Sequence, residues 1–146
     1  MLSMIPRELV QKWRWLLFGW ILVSVLLSIW WINRELQRRF PDMDFSKARL
    51  ATASWYSEDD KAIEDLTANG EKFNDKAMTC ATMNYPFDKK LLVFNPLNGK
   101  FVVCRVNDRG PAKRLGRGID LTRAAFKRIG NLKHGLIYVT IVPAKD

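Results

Sequence analysis

Phe101-Val102-Val103-Cys104-Arg105-Val106-Asn107-Asp108-Arg109-Gly110-Pro111 is the stretch on which the fold turns. Six mostly apolar, β-branched residues read as a strand, and the polar tip that follows ends it in a Gly-Pro turn. Upstream, Leu91-Leu92-Val93-Phe94 is a second such run, and Asn98-Gly99 between the two predicts a hairpin. Downstream, Leu136-Ile137-Tyr138-Val139-Thr140-Ile141-Val142 reads as a closing strand stopped by Pro143. One short helix stands between them: Thr122 is placed to cap it, Leu121, Ala125 and Ile129 form its apolar stripe, and Gly130 ends it. Turn residues recur at short intervals from Asn69-Gly70 to Pro143, a spacing that favours strands over helices. Short strands with one helix describe a compact β-barrel.

The 146 residues leave room for one folded domain, which excludes a multidomain enzyme, and 48% hydrophobic against 27% charged residues excludes general disorder. Five of the six tryptophans (Trp13, Trp15, Trp20, Trp30 and Trp31) lie in the first 31 residues. Residues 15–33 carry no charge and are bounded by Arg14 and Arg34, long enough for one transmembrane helix with indoles at both interfaces. A cleaved signal peptide would have a shorter apolar run and small residues after it, whereas Trp30-Trp31-Ile32 follows here. The expected organisation is a short N-terminal segment (1–14), the helix (15–33), a linker (34–50) and a folded domain (51–146). Basic residues flank the apolar run on both sides, so charge leaves the topology open. Residues 40–146 hold 18 Lys+Arg against 13 Asp+Glu, a net of +5 that suits lipid, nucleic acid or an acidic polymer. Nucleic acid is set aside, because no base-stacking motif or recognition helix accompanies the charge.

Three polar constellations interrupt the apolar pattern: Thr67-Ala68-Asn69-Gly70-Glu71, Asn107-Asp108-Arg109-Gly110-Pro111 and Gly118-Ile119-Asp120-Leu121-Thr122. At the tip of an apolar strand Asp108 is either a general acid or an Asx-type cap on the turn, with Arg109 as its partner. Trp55-Tyr56 is either a platform for sugar rings or core. Lys113, Arg114 and Arg117 form a basic loop. His134, the only histidine, falls in an exposed turn. Cys80 and Cys104 suit one disulfide or two buried thiols. No phosphate cradle, zinc-ligand cluster or Ser/His/Asp arrangement is present, and no metal or cofactor is expected.

Ala53-Ser54-Trp55-Tyr56, Thr67-Ala68-Asn69-Gly70-Glu71-Lys72-Phe73, Asn107-Asp108-Arg109-Gly110-Pro111 and Gly118-Ile119-Asp120-Leu121-Thr122-Arg123-Ala124-Ala125 follow the order and approximate spacing of the rare lipoprotein A-like (RlpA-like) double-psi β-barrel family. The chain resembles that family over residues 51–142. The resemblance implies a mostly β, six-stranded double-psi barrel with a short helix, here preceded by the membrane helix. It implies an exported domain, so the expected location is the bacterial inner membrane, single-pass, with the barrel in the periplasm. It implies lytic transglycosylase action on peptidoglycan glycan strands, giving 1,6-anhydro-muramic ends, with an envelope protein complex as a further partner. By resemblance Asp108 is the catalytic acid and Glu71 a second groove carboxylate. Thr82, Asn107, Arg109, Trp55, Tyr56 and Asp120 are expected to contact substrate. The family carries a histidine where this chain has Thr82, and a hydroxyl has no titration near neutrality. The alternative expectation is therefore a non-catalytic peptidoglycan-binding or envelope-assembly module on the same fold.

Overall fold

The computed structural model describes residues 7–60 and 65–146, in two compact units, Met1–Pro41 and Asp42–Asp146. The first is one helix, α1 (Arg7–Arg39). It is apolar all round, with Leu16, Trp20, Leu26 and Trp31 each more than half exposed. The span Val10–Arg39 is long and apolar enough to cross a membrane. Arg38 and Arg39 close its last turn, where cations complement the carbonyl end, and Arg38 pairs with Glu35 at 2.6 Å. Residues 1–6 of the expected N-terminal segment lie outside the described residues.

The second unit is a closed six-stranded barrel: β1 (Arg49–Tyr56), β2 (Thr79–Ala81), β3 (Lys90–Phe94), β4 (Phe101–Asp108), β5 (Ile119–Thr122) and β6 (Ile137–Pro143), with α2 (Arg123–Ile129) between β5 and β6. Around the barrel the order is β1-β5-β2-β4-β3-β6, and β6 returns to β1. The β1–β5 and β2–β4 pairs are parallel and the other four antiparallel, so strands far apart in sequence lie side by side. Alternation fills the interior: Ala53, Val93, Val106, Leu121 and Val139 point inward and pack with Phe126 and Ile129 of α2, all fully buried. Cys80 of β2 and Cys104 of β4 are joined by a disulfide inside this core, with a Cα–Cα distance of 6.0 Å.

Several local expectations are modified. The folded unit starts at Asp42, not Ala51: Asp42 O accepts from Lys145 N (2.7 Å), Asp44 N donates to Pro143 O (2.8 Å), and Met43 is buried. The end of β6 offers unpaired backbone groups that this segment satisfies. The β3–β4 hairpin closes through residues 95–100 and not through a two-residue turn. Asn95 and Asn98 both send their amides to Ile129 O (2.8 and 3.0 Å), capping the carbonyl end of α2. At the other end of α2, Thr122 makes no side-chain cap. Its hydroxyl donates to Ala77 O (2.6 Å), and Asp75 O takes the Ala124 N–H (2.9 Å), so the β1–β2 loop caps the helix. Gly118 has a packing reason: a Cβ there would lie 2.7 Å from Ala51 Cβ, and its N–H reaches Thr52 O at 3.0 Å.

Candidate active site

Strand alternation that sends Ala53 and Trp55 to the core puts Ser54 and Tyr56 on the opposite face of β1. The same holds on β5, where Ile119 and Leu121 are core and Asp120 faces out. Ser54 is in register with Asp120, Asp120 with Ala81, and Ala81 with Asp108. One row therefore crosses four strands, Ser54–Asp120–Ala81–Asp108, with a small side chain between the two acids. Two strand spacings, about 10 Å, separate their backbones.

Asp120 is the more enclosed acid, its side chain 16% exposed. Ser54 Oγ donates to Asp120 Oδ1, and Arg117 Nε stands 3.6 Å from the same oxygen. Gly110, at φ +149°, passes over it: a Cβ there would lie 3.9 Å from Asp120 Oδ2 and 3.7 Å from Ala81 Cβ. Burial pushes the Asp120 carboxyl up; Ser54 and Arg117 oppose the shift and the charge of Asp108 adds to it. Asp108 is half-buried at the end of β4, where its Oδ1 accepts from Ala68 N (2.9 Å) and Arg109 N (2.8 Å). The Asx-type contact and the groove position thus coexist in one residue.

Glu71 is held very differently. Arg105 of β4 grips it with two bonds of 2.8 Å, Asn107 Nδ2 adds one at 3.1 Å and Asn69 Nδ2 one at 3.0 Å. The Arg105 bonds, then those of Asn107 and Asn69, hold its carboxyl down at about 2. A carboxylate so held carries no proton to give near neutrality, and Glu71 acts as the clamp tying the 67–73 loop to β4. Arg105, which also reaches Asp88 at 2.7 Å, is the partner sequence reading missed; the signal was a lone Arg at an outward position of an apolar strand. A depressed carboxylate adds stability above its unfolded value, about 4.3, and loses it as pH falls toward 2. We expect Glu71→Gln to lower the melting temperature near neutral pH, with wild-type and variant curves converging between about pH 4.5 and 2. A constant gap across that window, followed by circular dichroism, refutes the clamp.

The other expected contacts divide. Tyr56 is buried on the face of β1 that carries Ser54, its ring stacked on Phe73 at 4.9 Å. Trp55 is on the opposite face, half-buried against the core, with its indole N–H on Leu132 O at 3.1 Å. Arg109 does not pair with Asp108: Nη1 donates to Thr82 O (2.9 Å) and Tyr85 O (2.8 Å), and its guanidinium lies 3.8 Å over Phe87. It staples the loop at 82–87. Thr82 is fully enclosed, its hydroxyl donating to Gly118 O (3.1 Å) and accepting from Asn84 N (3.2 Å). Asn107, also buried, supports Glu71. His134 is exposed on the turn after α2, outside this row.

A closed six-stranded barrel with two parallel strand pairs among four antiparallel ones is the architecture of the double-psi β-barrel class. A family model described as lytic transglycolase matches residues 49–141, and the chain belongs to this RlpA-like family. Among curated relatives it is 44% identical over 89 residues to a Nostoc protein named probable endolytic peptidoglycan transglycosylase RlpA (61% of this chain, 24% of the relative). It is 41% identical over 92 residues to the endolytic peptidoglycan transglycosylase RlpA of Pseudomonas aeruginosa (63% and 26%). The namesake of Yersinia pestis is 37% identical over 116 residues (77% and 31%). The chain spans about a quarter to a third of the length of these relatives. Of solved structures, Streptomyces papain inhibitor (TM-score 0.55, 19% identity, covering 71% of this chain and 100% of that one) and Clavibacter michiganensis expansin (0.52, 22%, 68% and 51%) share the fold.

Proposed function

We propose that the barrel is a lytic transglycosylase domain acting on peptidoglycan glycan strands, with Asp108 and Asp120 as its acid–base pair. The observation that carries this is the row Ser54–Asp120–Ala81–Asp108, which brings two carboxyls of unequal burial to one face of the barrel wall. Environments that differ in this way separate acid from base. Asp120, pushed up by burial, is suited to protonate the glycosidic oxygen as the C1–O bond breaks. The C6 hydroxyl of the same muramic acid then attacks C1, its proton passing to the more open Asp108, and a 1,6-anhydro ring closes. No water is consumed. The sequence reading gave the donor role to Asp108; the deeper burial of Asp120 supports giving it to Asp120 instead. The names of the curated relatives support the reaction class and, through its peptidoglycan substrate, a barrel in the periplasm, and the long apolar α1 supports a single-pass anchor.

A second reading, a binding or envelope-assembly module, is favoured by Thr82, whose hydroxyl is spent inside the wall where the family carries an imidazole. Digestion of intact and amidase-stripped peptidoglycan by the full chain in detergent micelles, read by mass spectrometry, separates the two. Anhydro-muramic ends are expected; co-sedimentation with glycan but no such ends makes the domain a binding module.

A further inference from the structure

Among the described residues, the buried side-chain polar atoms without a hydrogen-bond partner are Tyr56 Oη on β1, Asn107 Oδ1 beside Glu71 and Arg117 Nε beside Asp120. Native proteins rarely leave such atoms orphaned, and those that remain call for an explanation. Arg117 has Asp120 at ion-pair distance, and Asn107 has its amide on Glu71. Tyr56 Oη has nothing.

The phenol is held there firmly. Tyr56 is 7% exposed, its ring is stacked on Phe73 and packed with Ala81, and its backbone pairs with Thr122, one step along the face that carries Ser54 and Asp120. The charged groups about it are Asp108 at the end of β4 and Asp120 on β5, with Arg117 from the preceding loop engaged to Asp120. From the 67–73 loop comes Phe73, while Glu71 is closed onto Arg105. Burial, then the two carboxylates, raise the phenol far above its ordinary value, so it stays a neutral donor.

We infer that Tyr56 is the positioning residue of the acid pair: its free, enclosed hydroxyl closes on the carboxylate that appears when the pair gives up its proton. This rests on the reading of Asp108 and Asp120 as that pair. A donor unpaired in the ground state and bonded to the anion once the proton has left stabilises the transition state selectively. It supplies from β1 an orienting contact that Thr82, turned into the wall, does not.

Tyr56→Phe isolates the hydroxyl, because the ring and its stack on Phe73 are kept. Full-length protein in detergent micelles is expected to melt at the wild-type temperature or above, since only an unsatisfied polar group is removed. Anhydro-end release is expected to fall about tenfold in kcat with KM within about twofold. A phenol bonded to a carboxylate lowers its titration midpoint, so the variant's basic limb moves to higher pH, by about one unit for a tenfold effect. The same shift is expected in the Asp120 carboxyl carbon by NMR titration, a readout that needs no turnover. Unmoved midpoints overturn the inference, and so does a melting point lowered by several degrees, which makes the hydroxyl structural. Shifted midpoints in a protein that releases no anhydro ends keep Tyr56 in its role and remove the transglycosylase reading instead.

Discussion

Asp120→Asn is expected to cut release of anhydro-ended product by a hundredfold or more while leaving the barrel as stable as wild type, or more so, at neutral pH. An amide has the shape of the carboxyl but no proton to donate, and positioned general acids contribute about 10²- to 10⁴-fold. The stability half follows from the direction of the shift. Burial raises the folded-state value of Asp120 above its unfolded one. Its neutral form is therefore the one the fold tolerates: the contribution is full below the unfolded value, about 4, and is lost as pH rises through the higher folded value. Asparagine removes that loss, although Arg117 and Ser54 give up an anionic partner. Asp108→Asn is expected to be as damaging to turnover but to cost stability, because Oδ1 accepts two backbone N–H groups and a neutral amide oxygen holds them less strongly than a carboxylate does. Thermal melts beside product assays on both variants test the assignment. Near-normal turnover in Asp120→Asn with loss in Asp108→Asn returns the donor role to Asp108.

The contrast between these variants marks where sequence reading stops. β3, β4 and β6 are legible because their apolar runs are long and bounded by turn residues, and α1 because nineteen uncharged residues have few other uses in a chain this short. β2 and β5 are three and four residues long and take their partners from distant sequence, so nothing local announces them. The four motifs located the groove, but their internal geometry depended on register. Period-two alternation splits Trp55 from Tyr56, yet only the closed barrel says which face is inside. Glu71 and Arg105 are 34 positions apart, so neither residue's local sequence announces their bidentate pairing. Thr122 had the right chemistry and position for a helix cap, and lost that role because a loop 45 residues upstream offered its hydroxyl a better acceptor. Arg109, read as the partner of Asp108, found three acceptors in the loop beyond β2: two carbonyls and a ring.

β2 is also where the largest stability effect is expected. It is the shortest strand, it lies between β5 and β4, and its Ala81 is the spacer of the acid row. Cys80 fastens it to Cys104 of β4 across a sequence separation of 24, with both cysteines fully buried. Closing a loop of that size removes enough unfolded-chain entropy to stabilise the fold by about 3 kcal/mol. In a domain near 100 residues that corresponds to roughly 10–20 °C in melting temperature. The full chain with Cys80→Ala and Cys104→Ala, or reduced wild-type protein, is expected to melt lower by that amount. Turnover should then fail at temperatures where the oxidised protein still works, because a frayed β2 lets Asp108 and Asp120 drift apart. Thiol alkylation without reductant should label neither cysteine, folded or unfolded, and both should be labelled once the barrel is unfolded under reducing conditions. A shift under about 1 kcal/mol on removing the bridge means that core packing alone fixes β2. A large shift ties the working fold to an oxidising compartment, as the proposed periplasmic placement requires.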